Sequence, residues 1–152
     1  MRVNLSEIYG DTITLINKLD AKHALLKQDA YYTTVLHNCM WSDESANGVS
    51  SSGVVTPSTI HRVQIPADAG RYMPYTQWRN ADGREQFYTL RTGDYIVRGE
   101  IIDNVDTSNI RTIVADFEPN AFQVRAWREL TIPDLRIRTL GGLPVYRFSL
   151  EG

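Results

Sequence analysis

The sequence has little that could brace a fold covalently or hold a metal. Cys39 is its only cysteine, so no intrachain disulfide can form and no multi-cysteine zinc site can assemble. Folding must therefore come from packing. His23, His37 and His61 are far apart, and none sits at a helical i, i+4 spacing or beside a carboxylate motif, so the ordinary readings are a partly buried histidine and a core cysteine. No Walker sequence and no G-x-G-x-x-G occurs, which leaves nucleotide binding without support. The serines of "VSSSG" lack a G-x-S-x-G turn and the rigid base and oxyanion donors that acylation needs. Asp94 and Glu100 could be imagined as a carboxylate pair, but a turn aspartate and an exposed strand glutamate are the commoner reading. No enzyme is expected, and no cofactor.

Long apolar runs are missing too. No stretch is long enough to cross a membrane as a helix, and "MRVNLSEIYG" does not look like a secretion signal, so a soluble, non-membrane protein is expected. Lysine is scarce: only Lys18, Lys22 and Lys27 occur, against thirteen arginines. Arginine, tyrosine and tryptophan are the residues interfaces favour, although codon composition and an ordinary aromatic core account for the same counts. The net charge of −2 argues against a general polyanion binder.

What is present is enough for one domain. A chain of 152 residues with 42% hydrophobic content can bury a real core, and 1–152 reads as a single β-rich unit. "DTITLINKLD" places Ile13, Leu15 and Leu19 on one face and Thr12, Thr14 and Lys18 on the other, predicting a half-buried strand. "YYTTVLHNCMW" predicts a second, with Tyr31, Thr33, Val35, His37, Cys39 and Trp41 on one side. The intervening "LDAKHALLKQDA" reads as a short helix or a loop. Residues 42–58 are Ser- and Gly-rich without an apolar period and read as a mobile surface loop. "TIHRVQIP" predicts a third strand, ended by Pro66.

The segment Ala67 to Glu85 is long for a connection and rich in aromatics, and is expected to project. "TLRTGDYIVRGE" then reads as a hairpin with Gly93 at positive φ in its turn. Ile110, Ile113, Val114 and Phe117 recur at helical spacing, predicting one helix over about residues 107–117, capped from Asp106, Thr107 or Ser108 and closed before Pro119. "AFQVRAWREL", "LRIRTL" and "VYRFSL" complete a count of about seven or eight strands. The fold class expected is mainly β, a small barrel or sandwich with one short helix and a long projecting loop.

The stretches "TITLINKLD", "YYTTVLHNCMW", "HRVQIP", "QFYTLRTGDYIVRGE", "NIRTIVADF" and "FQVRAWREL", in that order, resemble a group of small virion proteins of tailed bacteriophages, encoded among head and tail assembly genes. The layout is similar to the head-closure proteins, the stoppers of the neck, and a tail terminator or another neck component is the near alternative. The resemblance implies a homo-oligomeric, hexameric ring of small β-barrels between head and tail. It would contact the adaptor and portal on one side and tail proteins on the other, and retain packaged DNA without reading its sequence. It also implies assembly in the host cytoplasm, a place in the virion neck, and no catalytic residue.

Under that reading Tyr72, Tyr75 and Trp78 are candidate aromatic anchors, with Arg71 and Arg79 as charged contacts around them. Two other uses of these residues remain open. The rings could cap the domain's own core, or they could stack bases in a monomeric module for single-stranded nucleic acid, with the arginines on phosphates.

Overall fold

The computed structural model describes residues 10–24, 28–49, 53, 55–101, 104–131 and 145–152. In chain order the elements are β1 (Asp11–Leu19), α1 (Ala21–Ala24), β2 (Ala30–Val49), β3 (Val55–Pro66), α2 (Tyr75–Trp78), a 3-10 turn (Arg84–Gln86), β4 (Tyr95–Arg98), α3 (Ile110–Phe117), β5 (Ala121–Gln123), β6 (Ala126–Thr131) and β7 (Val145–Glu151). The seven strands form one antiparallel sheet in the order β5-β4-β1-β2-β3-β7-β6. The protein is mainly β, as its patterning predicts. The expected strand "LRIRTL" lies outside the described residues.

The sheet must curl. β5 and β6 stand at opposite ends of the strand order, yet only Val124 and Arg125 separate them in the chain. Three Cα steps span at most roughly 11 Å, so the two edges lie side by side and the sheet closes on itself as a half-barrel. Val124 bonds back to the first half, its N–H to Asp94 O at 2.7 Å, and Arg125 bonds to the second, its N–H to Glu151 O at 2.8 Å. "AFQVRAWREL", expected as one strand, is thus broken at the seam. Gly152 sits against it so closely that a Cβ there would meet Gln123 O at 2.2 Å.

Ile13, Leu15, Leu36, Cys39, Val63, Ile65, Ile96, Phe148 and Leu150 fill the interior. Fully burying an aliphatic side chain of this size contributes about 1.5–3 kcal/mol. A second cluster lies on the outer face, where Ile110 of α3 packs on Ile16, Val97 and Ala121. α3 starts within one residue of the turn held by Asp106, whose Oδ1 accepts the N–H groups of Ser108 and Asn109. Because α3 covers their outer face, β1 and β4 are buried on both sides, and β1 is not the half-buried strand its alternation suggests.

β2 breaks its own alternation. Ile13 pairs with Leu36 but Asp11 pairs with Cys39, so one extra residue is accommodated on β2, where Asn38 takes φ 60°. The bulge reverses the faces. Leu36, Cys39 and Trp41 all point into the interior, whereas Tyr31 packs on the outer cluster and His37 is exposed. The expected single face from Tyr31 to Trp41 therefore divides in two at residue 38.

"TLRTGDYIVRGE" is not a hairpin. Only Tyr95–Arg98 is a strand, and its partners are β1 and β5. Thr89 and Leu90 are buried outside the ladder. Gly93 does hold φ 100° in the turn before β4.

Candidate interaction surface

The segment Ala67–Glu85 folds back onto the sheet instead of projecting. Its first turn closes with Ala69 N–H on Pro66 O, and Tyr72 joins Tyr88 in an isolated parallel bridge. The Tyr72 ring packs 4.6 Å from that of Phe148 and touches the interior cluster. Gly70 runs so near Leu36 and Tyr88 that a Cβ would come within 2.9 Å of Leu36 Cδ2.

Trp78 is 0% exposed. Its ring meets the edge of Tyr32 at 5.3 Å, and its Nε1–H lies 3.2 Å from Arg84 O and 3.3 Å from Phe87 O. Arg84 closes over this corner: Nε donates to Trp78 O, Nη2 donates to Arg79 O at 2.9 Å, and the guanidinium lies about 6 Å from the rings of Tyr32 and Trp78. Tyr75 is covered by Arg91, whose guanidinium carbon is 4.0 Å from the ring centre. Arg91 also pairs with Asp20 at 2.8 Å.

Of the five expected contact residues, Arg71 is exposed, Tyr72, Tyr75 and Arg79 are half-buried, and Trp78 is enclosed. Trp78 is a core residue in this conformation and cannot serve as a projecting anchor or a stacking platform. The physical reason is local. A four-residue helix cannot stand alone, so α2 buries its one large apolar ring under β2 and the following turn.

The element that does extend is the one expected to be a loop. β2 and β3 stay paired from Met40↔Gln64 out to Val49↔Val55. Along β2, β1 stops at Cys39; along β3, β7 stops at Glu151, opposite Arg62, with Gly152 bonding His61 through both backbone groups. Beyond that point, among the described residues, Glu44–Val49 and Val55–Ile60 have no strand partner except each other. These stretches carry no regular apolar period, which is why periodicity reads them as a loop. Their β-branched content, Val55, Thr56, Thr59 and Ile60, is the signal that could have found them.

The root of this ribbon is pinned by side chains. Asp43 Oδ1 accepts the Trp41 Nε1–H at 3.0 Å and is hydrogen-bonded to His61 Nδ1, while the His61 ring stacks on Phe122. Beside it, a cleft of about 410 Å³ opens on the outer face of β3, β7 and β6, lined by Arg62, Gln64, Trp127, Arg128, Ser149 and Glu151 among others. Arg62 bridges Glu44 at 2.7 Å and Glu151 at 3.3 Å, so much of the cationic charge there is already matched.

The perturbed acids and thiols are structural. Asp94 is 2% exposed, and burial raises its pKa to about 6 against the opposing pull of hydrogen bonds from Lys18 N–H and Asn17 and of nearby Arg91. Glu100, its imagined partner, is exposed at the far end of β4. Burial pushes the Cys39 thiol up to about 12, which keeps it an unreactive core side chain, and the β2 bulge puts it on the opposite side from His37. Among the described residues no group of three or more His, Cys, Asp or Glu is placed to hold a metal, and no helix is long and apolar enough to cross a membrane.

Comparison with curated proteins and with solved structures finds no significant match. Residues 8–137 match the model of a family of unknown function, DUF6751, and since that match covers most of the sequence, from before β1 to beyond β6, the chain belongs to this family.

Proposed function

We propose that this protein is a structural subunit of a tailed-phage virion, a head-closure or stopper-like component of the head-tail connector that assembles as a ring in the neck. The observation that carries the reading is the combination of a small half-barrel with a two-stranded ribbon reaching past the sheet. A ring needs two unlike contact surfaces on each subunit, and a body with a protruding arm supplies them. The order of the sequence stretches shared with such proteins and the dominance of arginine over lysine support the same reading. The partners are further copies of the chain, hexameric by that resemblance, the adaptor and portal side, and the tail side.

Arg62 in the cleft beside the ribbon root is already ion-paired with Glu44 and Glu151, which suits a surface that meets a protein better than one that grips a polyanion. With Trp78 enclosed, the single-stranded nucleic-acid reading loses one of its three stacking rings.

Quantitative mass spectrometry of intact particles and of separated heads and tails tests the proposal. Roughly six copies at the head-tail junction is the expected result. Absence from particles would discard it.

A further inference from the structure

The register of β3, β7 and β6 sets side chains of the outer face in cross-strand rows. One row is Arg62, Glu151 and Ala126, and the next is Gln64, Ser149 and Arg128. Val63, Ile65, Phe148 and Leu150 alternate with them and fill the interior, so the two rows face outward. The first row is electrically closed: Arg62 pairs with Glu151 at 3.3 Å and with Glu44 of β2 at 2.7 Å. The second row is open. Gln64 accepts a hydrogen bond on Oε1 from Arg147 Nη1 at 2.7 Å, and because a guanidinium only donates, this bond fixes which end of the amide faces it. The Gln64 NH2 group, the Ser149 hydroxyl and the Arg128 guanidinium then have no hydrogen-bond or ion-pair partner among the described residues. Neighbouring strands lie about 4.8 Å apart, so these three donors line up over about 10 Å with no acid in their row. The short Ala126 side chain, opposite Glu151, leaves room beside them, and the cleft of about 410 Å³ takes in both rows.

We infer that this cleft binds a protein segment that presents one carboxylate, a Glu or Asp side chain, to the donor row of Gln64, Ser149 and Arg128. The chemistry of the cleft selects this occupant. A carboxylate accepts from several donors at once and meets a guanidinium in two-pronged fashion. A phosphate backbone needs several cations in line, and beyond Arg128 it would run into Glu151 and Glu44. A free carboxylate ion would leave most of the cleft unfilled, whereas an extended segment also occupies the space over Ala126. The site is defined by the cleft's own side chains and stands or falls apart from the neck reading.

The probe is a pool of heptapeptides, blocked at both ends, with a central glutamate and varied uncharged neighbours, titrated at low salt into the isotope-labelled full chain. A pool with central glutamine is the control. The expected result is a shift of the amide signals of Gln64, Arg128 and Ser149 with the glutamate pool and none with the glutamine pool. Arg128→Gln should weaken binding roughly tenfold at an unchanged melting temperature. Ala126→Leu should block binding by filling the cleft, and Glu151→Gln should strengthen it by releasing Arg62 from one of its carboxylates. Arg111→Gln, at an exposed position of α3 on the other half of the sheet, should change nothing. No shift with the glutamate pool, or equal weakening by Arg111→Gln and Arg128→Gln, would overturn the site. Equal shifts from inorganic phosphate at the same concentration would overturn it too, by showing a patch that takes any anion.

Discussion

Asn17 and Asp94, 77 positions apart in the chain, share a buried hydrogen bond of 2.9 Å from Nδ2 to Oδ2. The same Asn17 amide donates to Thr89 O at 2.6 Å and accepts the Thr89 N–H at 3.2 Å, so a side chain stands in for the missing backbone neighbour of a buried segment. Lys18 N–H completes the cluster on Asp94 Oδ1. Asn17→Ala leaves these groups buried and unpaired, and should cost about 3 kcal/mol in urea unfolding. Asn17→Asp should be at least as damaging, since it sets a second carboxylate against Asp94.

Asp94 should also make stability depend on pH. Its pKa is raised from 3.8 to about 6 in the fold, so the folded state favours the protonated acid. That contribution is complete below about 3.8, falls as pH rises towards about 6, and is gone above it. It amounts to about 3 kcal/mol at most. Asp94→Asn should remove this slope, so the difference between wild-type and variant urea midpoints should change across the window and stay flat above it. A difference that is constant from about pH 4 to pH 7 would show that the carboxyl is not perturbed.

Trp78→Ala should destabilise the fold by about 3–5 kcal/mol, because the ring is wholly enclosed between Tyr32, Tyr75 and the Arg84 turn. Arg71→Ala, at an exposed site, should stay within about 0.5 kcal/mol. Thermal melts of the two variants check both, and equal melting temperatures would contradict this placement.

Arg84→Lys should not rescue Arg84→Ala. The guanidinium makes separate bonds from Nε to Trp78 O and from Nη2 to Arg79 O, a fork that an ammonium cannot reproduce. Both variants should speed amide exchange between residues 75 and 87, with a loss of about 1–3 kcal/mol in denaturant.

Asn38 is a non-glycine residue held at φ 60°. Asn38→Gly should be neutral or slightly stabilising, and Asn38→Val should cost about 1–2 kcal/mol, because a β-branched side chain is strained in that region. Chemical denaturation separates the two; equal stability would mean that the bulge relocates.

Much of the fold was legible. The strands around Ile13, Val63 and Phe148, the helix from Ile110 to Phe117 and the positive φ of Gly93 all follow from local pattern and turn chemistry. The segment Ala67–Glu85, expected to project, packs back on the sheet. Aromatic residues between Tyr72 and Trp78 suggested exposed anchors, but large rings are equally at home in a core, and local sequence cannot tell which. The ribbon went unseen because Ser45–Val49 and Val55–Ile60 carry no regular apolar alternation to detect.

The sequence by itself determined the fold class, the dependence on packing in place of disulfides, and the uncharged character of Ser45–Val49 and Val55–Ile60, since each follows from residue type or short-range period. Only the tertiary structure decided that Asp94 is buried against Asn17, that Trp78 is covered, that β5 and β6 meet at a seam, and that β2 and β3 outrun their neighbours. Each of these depends on contacts between segments far apart in the chain. Strand order and sheet curl set those contacts, and local pattern does not encode them.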